Sequence, residues 1–327
     1  MIQRDTTAPL ATSPRIMVVG SINMDLVASV RRLPARGETV QSTAFRRVHG
    51  GKGANQAVAA ARAGGDVLLL GRVGSDDFGA SLRTGLAESG VGCDLVFTSA
   101  DTSSGTAIVL VEETGENSIV VVPGANSCVS RTDVEAAAEQ ITSSDVLLLQ
   151  LEVPLDAVSS AARLAADARR AVILDPAPIT SEVAGSSEFA QLLQAVTVIC
   201  PNETEASVIS GVQVNDQDSA VAAARRISEL GPKVVIVTRG HEGCVLLDNS
   251  DLHVLPSTVV EAVDSTAAGD AFAGAFAVRL CESASHLSAA RFACLAGAIA
   301  TSRSGAQPAM PQRGEIDSLL ATVTRTN

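Results

Sequence analysis

The stretch VDSTAAGDAFAGAFAVRL, residues 263–280, joins a polar loop to an apolar segment with the period of a helix. Its apolar side chains recur at helical spacing and are expected to form a buried stripe. They are Ala271, Phe272, Ala275, Phe276 and Leu280. Asp270 stands at the start of this helix, and a carboxylate beside buried surface costs free energy unless it is partnered or used. Asp270 therefore either complements the positive end of the helix dipole or belongs to a chemical site.

The rest of the chain alternates short apolar runs with helical patterns, from residue 15 to about residue 303. Several runs are apolar on both faces, which is typical of buried parallel strands. The candidate strands are residues 15–22, 66–74, 145–152, 171–178, 196–202 and 233–240. The candidate helices are residues 53–65, 78–90, 154–170 and 218–231. The alternation predicts an α/β fold with a doubly wound, mostly parallel sheet flanked by helices.

Two stretches interrupt the alternation and predict a small β-sheet lid beside the main sheet. Residues 26–48 have extended character without a crossover helix, and GTAIVLVEETGENSIVVVPG, residues 105–124, indicates two apolar strands around a turn. The lid is expected at about residues 27–48 and 104–124. A mobile cover of this kind often excludes water from a reaction.

The ends of the chain set the expected domain limits. Residues 1–14 are polar and rich in Thr, Pro and Ala, which predicts a disordered tail. Residues 15–312 are expected to form the α/β domain, and residues 313–327 a C-terminal segment.

Composition narrows the class of partner and the compartment. With 36 acidic against 24 basic residues, the net charge is -12, so there is no basic surface for nucleic acid or an anionic membrane. The N-terminus lacks the apolar core of a signal peptide, and no run reaches the roughly 18 apolar residues of a membrane span. The six cysteines and four histidines show no metal-ligand spacing. These features predict a cytoplasmic protein with reduced thiols.

Three motifs suggest contacts to a polyol. In GSINMDLV, residues 20–27, Asn23 and Asp25 project to one side at the end of the first strand, either as hydrogen-bonding groups for hydroxyls or as turn formers. HGGKGANQA, residues 49–57, is neither a P-loop nor a dinucleotide fingerprint. It predicts a tight glycine turn that begins a helix, with Lys52 and Asn55 facing outward. Glu152 ends an apolar strand and is either a ligand group or an exposed acid.

Two further motifs suggest contacts to a nucleotide. In CPNETEA, residues 200–206, Asn202 suits a helix N-cap, which explains the spacing without any function. Alternatively, Asn202 lies near phosphate and Glu205 near hydrated Mg²⁺, which prefers carboxylate neighbours. In VTRGHEG, residues 237–243, a strand ends in a glycine-rich loop that is either a plain turn or a cradle for a nucleotide.

In this order, and with the late SGAQPAMP at residues 304–311, these motifs resemble the ribokinase branch of the pfkB-type carbohydrate kinases. The similarity runs from about residue 15 to about residue 312. It implies transfer of the γ-phosphoryl group of ATP to the 5-hydroxyl of D-ribose, giving ribose 5-phosphate and ADP. It also implies use of Mg²⁺ and K⁺, and a homodimer joined through the lid.

The resemblance also implies roles for individual residues. The sugar contacts are Asn23, Asp25, Gly51, Lys52, Gly53, Asn55, Glu152 and Asp270. The nucleotide contacts are Asn202, Thr238, Arg239, Gly240, His241, Glu242, Gly243 and Gly269. Asp270 is the catalytic base, beside an anion hole formed by the backbone amides of Ala267, Ala268, Gly269 and Asp270.

For the metals, the resemblance implies Glu205 as the Mg²⁺ residue, acting through water. The implied K⁺ ligands are Asp264, Thr266, Ala300, Arg303 and Gly305, with Ala309 at a position where the family commonly has serine. This difference removes a possible hydroxyl ligand for K⁺.

Other functions stay open on this scaffold. A kinase of another sugar, such as deoxyribose or fructose, fits the same motifs. A nucleoside kinase fits less well, because base recognition usually uses aromatic stacking and the chain has no Trp, no Tyr and seven Phe. A non-catalytic sugar-binding protein is disfavoured by the presence of both Gly269 and Asp270.

Overall fold

A computed structural model describes residues 13–114, 116–283 and 285–326. The expected tail at residues 1–12 lies outside the described residues. Within them the chain forms fourteen strands. In chain order these are β1 (Arg15–Val19), β2 (Asn23–Val30), β3 (Ala44–Gly50), β4 (Asp66–Gly74), β5 (Val91–Gly92), β6 (Val96–Ser99), β7 (Gly105–Glu112), β8 (Asn117–Val122), β9 (Val146–Leu149), β10 (Ala171–Leu174), β11 (Val198–Ile199), β12 (Val234–Thr238), β13 (Cys244–Asp248) and β14 (Asp251–Leu255).

The same described ranges contain twelve α-helices. They are α1 (Lys52–Arg62), α2 (Asp77–Glu88), α3 (Arg131–Ala136), α4 (Ala138–Ser143), α5 (Leu155–Asp167), α6 (Ser181–Ala184), α7 (Ser187–Leu193), α8 (Glu203–Ser210), α9 (Gln217–Ser228), α10 (Ala268–Ser283), α11 (His286–Thr301) and α12 (Arg313–Thr326).

The large sheet has ten strands in the order β14-β13-β12-β11-β10-β9-β1-β4-β5, and β6 pairs with the far end of β4. In this order, every pair of neighbouring strands from β12 through to β5 is parallel. The pairs β12–β13 and β13–β14, at one edge of the sheet, are antiparallel. The predicted mostly parallel sheet is confirmed. Each of the six sequence runs that we identified as candidate strands contributes a strand to it.

Helices cover both faces of this sheet because successive side chains of a buried strand point to opposite faces. In β1, Ile16 and Val18 pack into a core with α1, α2, α10, α11 and α12. Met17 and Val19 pack into the opposite core, with α3, α4, α5, α7, α8 and α9. This two-sided burial confirms the doubly wound fold.

The second sheet has four strands in the order β3-β2-β7-β8. It begins at Asn23, earlier than the expected lid boundary near residue 27. Asn23 and Asp25 therefore lie on the first lid strand and not, as we expected, at the end of the first strand of the large sheet. The physical reason is that the chain leaves the large sheet at Gly20, whose amide still donates to the Leu70 carbonyl oxygen, and pairs with β3 from Asn23 onward.

The helical part of the stretch at residues 263–280 lies in α10, and its apolar stripe is buried as predicted. Helix α10 packs very closely against α1 at Gly274. A Cβ added there would stand 2.6 Å from the Ala59 Cβ and 2.7 Å from the Ala60 nitrogen, so only glycine fits. Asp270 lies one turn before Gly274 on the same helix face. The close approach therefore brings Asp270 against the first turns of α1.

The two ends of the described chain are tied to the domain. The Pro14 carbonyl oxygen accepts a hydrogen bond of 2.8 Å from the Asp66 amide, at the boundary of the expected tail. At the other end, α12 buries Ile316 and packs further side chains against the same core as α10. Residues 313–326 are thus a packed helix of the domain.

Candidate active site

Asp270 lies buried where α10 meets α1, with only 4% of its surface exposed. Its Oδ2 accepts a hydrogen bond of 2.9 Å from Asn55 Nδ2, and its Oδ1 accepts one of 3.1 Å from Gln56 Nε2. Asn55 is itself buried, so our expectation that it faces outward from the helix start is wrong. The close packing of α1 on α10 turns Asn55 toward Asp270.

Asp175, which follows β10, joins the same cluster and was missed in the sequence. Its Oδ2 accepts a hydrogen bond of 2.8 Å from Gln56 Nε2 and lies 3.9 Å from Lys52 Nζ. A signal was available, because Asp175 ends an apolar parallel strand as Glu152 does. Gln56 carried no such signal, since we noted it only as the residue that breaks a dinucleotide fingerprint.

The electrostatics of this cluster follow from burying acids together. Burial, and to a smaller extent the neighbouring Asp175, raise the pKa of Asp270, while Lys52 and the amides of Asn55 and Gln56 oppose the rise, and the net pKa is about 6. Burial likewise raises the pKa of Asp175, against the effect of Lys52. Asp270 is therefore held close to the range in which a carboxylate both accepts and releases a proton near neutral pH.

Lys52 is the cation of the cluster. Burial alone would lower its pKa, but the surrounding acids outweigh burial and raise it. These acids are Asp175, Asp270, Glu152 and Glu205. Lys52 therefore keeps its charge within the site.

Glu152 fastens the glycine turn that precedes α1. Its Oε2 accepts from the Lys52 amide at 3.1 Å and from the Ser21 hydroxyl. The turn itself needs Gly51, which has a φ of 87°. Gly53 permits the helix start to lie against Gly20 and Ser21, since a Cβ there would stand 2.6 Å from their backbone atoms. Glu152 thus positions the turn in addition to lying beside the other acids.

Asn23 and Asp25 enter the site from the lid strand β2. Asn23 is buried, and its Oδ1 accepts a hydrogen bond of 2.6 Å from Asn126 Nδ2. The sequence patterns did not predict Asn126 as part of the site. Asn126 also accepts from the Ile22 amide, so it fixes the chain where the large sheet passes into the lid. Burial, together with nearby Glu152 and Asp270, raises the pKa of Asp25 to about 7.

A narrow cavity lies between α10, α1 and α8. It is lined by Lys52, Asp175, Asn202, Glu205, Gly269 and Phe272, among others. Gly269 opens onto free space, because a Cβ built on it meets no heavy atom of another part of the protein within 4 Å. The structure thus brings together residues predicted to contact sugar and residues predicted to contact nucleotide.

Asn202 and Glu205 form a reciprocal cap at the start of α8. The Asn202 side chain accepts from the Glu205 amide, and the Glu205 carboxylate accepts from the Asn202 amide at 2.9 Å and from its Nδ2 at 2.8 Å. The N-cap interpretation of this motif is therefore correct. The same carboxylate borders the cavity and supplies oxygen atoms of the kind that hydrated Mg²⁺ prefers, so it fits that ion.

The predicted nucleotide loop follows β12 as a short 3-10 turn, Gly240–Glu242. Its exposed residues are Gly240, His241 and Glu242, whereas Arg239 is buried and pairs with Glu203 and Glu242. Thr238 borders the cavity. Gly243 approaches the Leu255 carbonyl oxygen so closely that a Cβ would stand 2.0 Å from it. The loop is thus only partly free to contact a ligand.

The predicted anion hole begins at an unusual backbone conformation. Ala267 has a φ of 59°, in the left-handed region that non-glycine residues rarely adopt. The Ala268 amide donates to the Ser265 carbonyl oxygen at 3.3 Å, so it is partly engaged. Amides in the first turn of a helix have no intrahelical acceptor and attract anions. Gly269 and Asp270 belong to that turn of α10.

Asp264 joins the two loops that were predicted to bind a monovalent cation. Its Oδ1 accepts from the Thr266 amide and its Oδ2 from the Gly305 amide, both at 2.9 Å. Further ligand positions lie at the end of α11 and just beyond it, at Ala300 and Arg303, and the Arg303 side chain pairs with Glu315. Ala309 is fully buried. Asp264, Thr266 and Gly305 are thus brought together, and their oxygens are hard donors that suit K⁺.

Residues 13–313 match the pfkB family of carbohydrate kinases. The chain is 39% identical to the ribokinase of Haemophilus influenzae, over 92% of this chain and 96% of that protein. It is 35% identical to the deoxyribokinase of Salmonella typhi, over 94% of this chain and 98% of that protein. The solved structure of Arabidopsis thaliana ribokinase complexed with ribose and ATP is similar with a TM-score of 0.87 and 32% identity, over 94% of this chain and 99% of that one.

The chain therefore belongs to the pfkB family of carbohydrate kinases. Within that family it is a sugar kinase of the ribokinase type. The resemblance inferred from the motifs is confirmed, whereas the roles of individual residues stay predictions.

None of the described helices is both long and apolar enough to cross a lipid bilayer.

Proposed function

We propose that this sugar kinase transfers the γ-phosphoryl group of ATP to the 5-hydroxyl of D-ribose, giving ribose 5-phosphate and ADP. The observation that carries the proposal is the buried Asp270 carboxylate at the start of α10, beside the open space at Gly269. The names of its relatives, ribokinases at 38–39% identity over nearly the whole chain, support ribose as the acceptor.

In the proposed reaction, Asp270 takes the proton of the 5-hydroxyl while that oxygen forms a bond to the γ-phosphorus. The bond from the γ-phosphorus to the oxygen that bridges it to the β-phosphate breaks, and ADP leaves with that electron pair. With a pKa of about 6, Asp270 is mostly ionised at neutral pH and is therefore ready to accept the proton.

Charge on the transferred group is stabilised by the start of α10. The amides of Gly269 and Asp270 carry this role, with a smaller share for Ala268 because its amide is partly engaged. Lys52 adds a positive charge from the other wall of the cavity. Bound Mg²⁺ would neutralise phosphate charge, with Glu205 holding it through water and Asn202 facing phosphate.

Ribose is proposed to bind between the lid and α1, with Asn23, Asp25 and Asn55 as its hydrogen-bonding groups. The adenosine part of ATP is proposed to lie along the loop from Thr238 to Gly243. K⁺ is proposed to bind between the loops joined by Asp264, where it would stabilise the backbone conformation that leads into α10. Ala309 offers K⁺ a methyl group where the family commonly has a hydroxyl.

The substrate assignment is tested by measuring kcat/KM for ribose, deoxyribose, fructose and adenosine, each with and without K⁺. We expect ribose to have the highest value and K⁺ to raise it. Deoxyribose is the second candidate, because the deoxyribokinase of Salmonella typhi is 35% identical to the chain. A higher value for any acceptor other than ribose would reject the substrate assignment while leaving the kinase assignment intact.

The acidity of Asp25 predicts pH-dependent sugar binding. An ionised carboxylate accepts hydrogen bonds from sugar hydroxyls more fully than its protonated form. Because the pKa of Asp25 is raised to about 7, the ionised fraction falls as the pH drops below that value. We expect the Kd for ribose to rise about tenfold per pH unit below roughly pH 6 and to level off above roughly pH 8. Calorimetry without ATP measures this, and Asp25→Asn should flatten the profile. A profile unchanged by that substitution would assign the effect elsewhere.

A homodimer through the lid is also proposed. The edge strand β8 exposes Ile119, Val120 and Val121 at 48–62%, and Phe45 on β3 is 62% exposed. An apolar edge strand with free backbone groups favours pairing with a second copy of the chain. We expect light scattering to give the dimer mass for the unmodified protein and the monomer mass for Val120→Glu. Leu252→Glu, on the outer strand of the large sheet, is the control and should stay dimeric. A monomeric unmodified protein would contradict the proposal.

A further inference from the structure

The buried polar contacts of the site converge on the side chain of Gln56, which has no exposed surface. Its Nε2 donates to Asp175 Oδ2 at 2.8 Å and to Asp270 Oδ1 at 3.1 Å. Its Oε1 accepts from Gln150 Nε2 at 2.6 Å. One neutral amide therefore links two buried acids from different parts of the chain, and none of the roles assigned above uses it.

Chemistry fixes the direction of this hydrogen-bonded chain. An ionised carboxylate only accepts hydrogen bonds, so the amino group of Gln56 must face Asp175 and Asp270. The carbonyl oxygen of Gln56 then faces Gln150, whose side-chain amino group donates a hydrogen bond to it. The buried Oε1 of Gln150 is left without a hydrogen-bond partner among the described residues, as expected for the end of such a chain. The arrangement thus delivers both donor hydrogens of Gln56 to the two acids.

We propose that Gln56 is a positioning residue for phosphoryl transfer, holding the Asp270 carboxylate in the orientation and ionised state that proton removal requires. This rests on the proposed role of Asp270 as the base. Asn55 holds one carboxylate oxygen and Gln56 the other, so the plane of the carboxylate is fixed from two sides. Each oxygen retains a lone pair for the hydroxyl of the acceptor.

Gln56 also separates two acids that burial would otherwise protonate. Asp175 raises the pKa of Asp270, while the hydrogen bond from Gln56 lowers it. Without the shared amide, two buried carboxyls would remain with no donor between them, and one would take up a proton near neutral pH. A protonated Asp270 cannot remove a proton from the acceptor.

Other charged groups reach Asp270 from several elements and must stay constant in any test. They are Lys52 on α1, Asp175 after β10, Asp25 on β2 and Glu205 on α8. A comparison of two proteins that differ only at Gln56 keeps the contributions of these groups in both. The ratio of their activities at each pH therefore isolates the effect of Gln56.

The test is the pH dependence of kcat/KM for ribose in Gln56→Leu. Loss of one donor to a buried carboxylate raises its pKa by about one unit. We expect the acid limb of the profile to move up by about one pH unit. Near pH 9, kcat/KM of the variant should be less than about fivefold below that of the unmodified protein. Near pH 5.5 this factor should be about ten times larger than at pH 9. Gln140→Leu, on α4 away from the site, is the matched control and should keep the original profile.

Further outcomes separate this proposal from the proposed function. Gln56→Glu has a side chain of equal size and serves as a second variant in case Gln56→Leu fails to fold. Because it adds an acid beside Asp270, it should move the acid limb of the pH profile upward at least as far. An equal loss at every pH, or no loss, in a folded variant would overturn the positioning role. Asp270→Asn is assayed in the same experiment. If Asp270→Asn is inactive while the acid limb of the Gln56→Leu profile stays where it is in the unmodified protein, only the positioning role of Gln56 fails. If Asp270→Asn is active, the proposed base itself fails.

Discussion

Asp270→Asn is expected to lower kcat by about 10²- to 10⁴-fold, the usual range for loss of a general base. Asparagine keeps the size of the side chain and a carbonyl oxygen for Asn55 or Gln56, but it cannot accept the hydroxyl proton. Binding of ribose and ATP should therefore change by less than about threefold. Steady-state kinetics gives kcat, and calorimetry gives both dissociation constants.

The control for this variant is Asp248→Asn. Asp248 also makes a polar contact, 2.8 Å from its Oδ2 to His286 Nδ1, but it lies outside the residues that surround the cavity. We expect it to retain the kcat of the unmodified protein. Near-normal turnover in Asp270→Asn would remove Asp270 from the role of base, whatever the control shows.

Gly269→Ala is expected to lower kcat/KM for ATP by about 10²-fold, because the new methyl group holds phosphate away from the backbone amides of the proposed anion hole, and loss of one such hydrogen bond costs about that much. The added methyl group meets no atom outside its own helix turn within 4 Å, so it projects into the space proposed for phosphate. The folded chain should not lose stability, because alanine is favoured over glycine in a helix by about 1 kcal/mol. Thermal unfolding and kinetics together measure this separation of activity from stability.

Gly314→Ala is the matched control for this substitution. Gly314 is the second residue of α12, as Gly269 is of α10, and a Cβ there also meets nothing within 4 Å. Both variants should therefore gain similar stability, while only Gly269→Ala loses activity. Equal activity in the two variants would mean that phosphate does not approach α10 at Gly269.

Much of the fold follows from short-range patterns. Apolar runs such as that at residues 145–152 become central parallel strands because both of their faces are covered by helices. The stripe of α10 is buried for the same reason. The lid boundary was less readable, because Asn23 pairs with Gly50 across a lid whose register depends on residues far along the chain.

The site was predictable only in part. Asp270 and Glu152 are marked by local context, and Asp175 was open to the same argument. Gln56 contacts acids 119 and 214 residues away, and Asn126 contacts Asn23 across 103 residues, so nothing beside either residue reveals its partner. The burial of Asn55 was wrongly predicted because it depends on the close approach at Gly274, which involves a different helix.

The central claim is that one γ-phosphoryl group passes from ATP to the 5-hydroxyl of ribose. The most direct measurement is ³¹P and ¹H NMR of the products from ribose and ATP with Mg²⁺ and K⁺. We predict ribose 5-phosphate and ADP in equal amounts, with phosphorus coupled to the protons on C5. ADP formed with inorganic phosphate and no sugar phosphate, or phosphate on any other hydroxyl, would contradict the account.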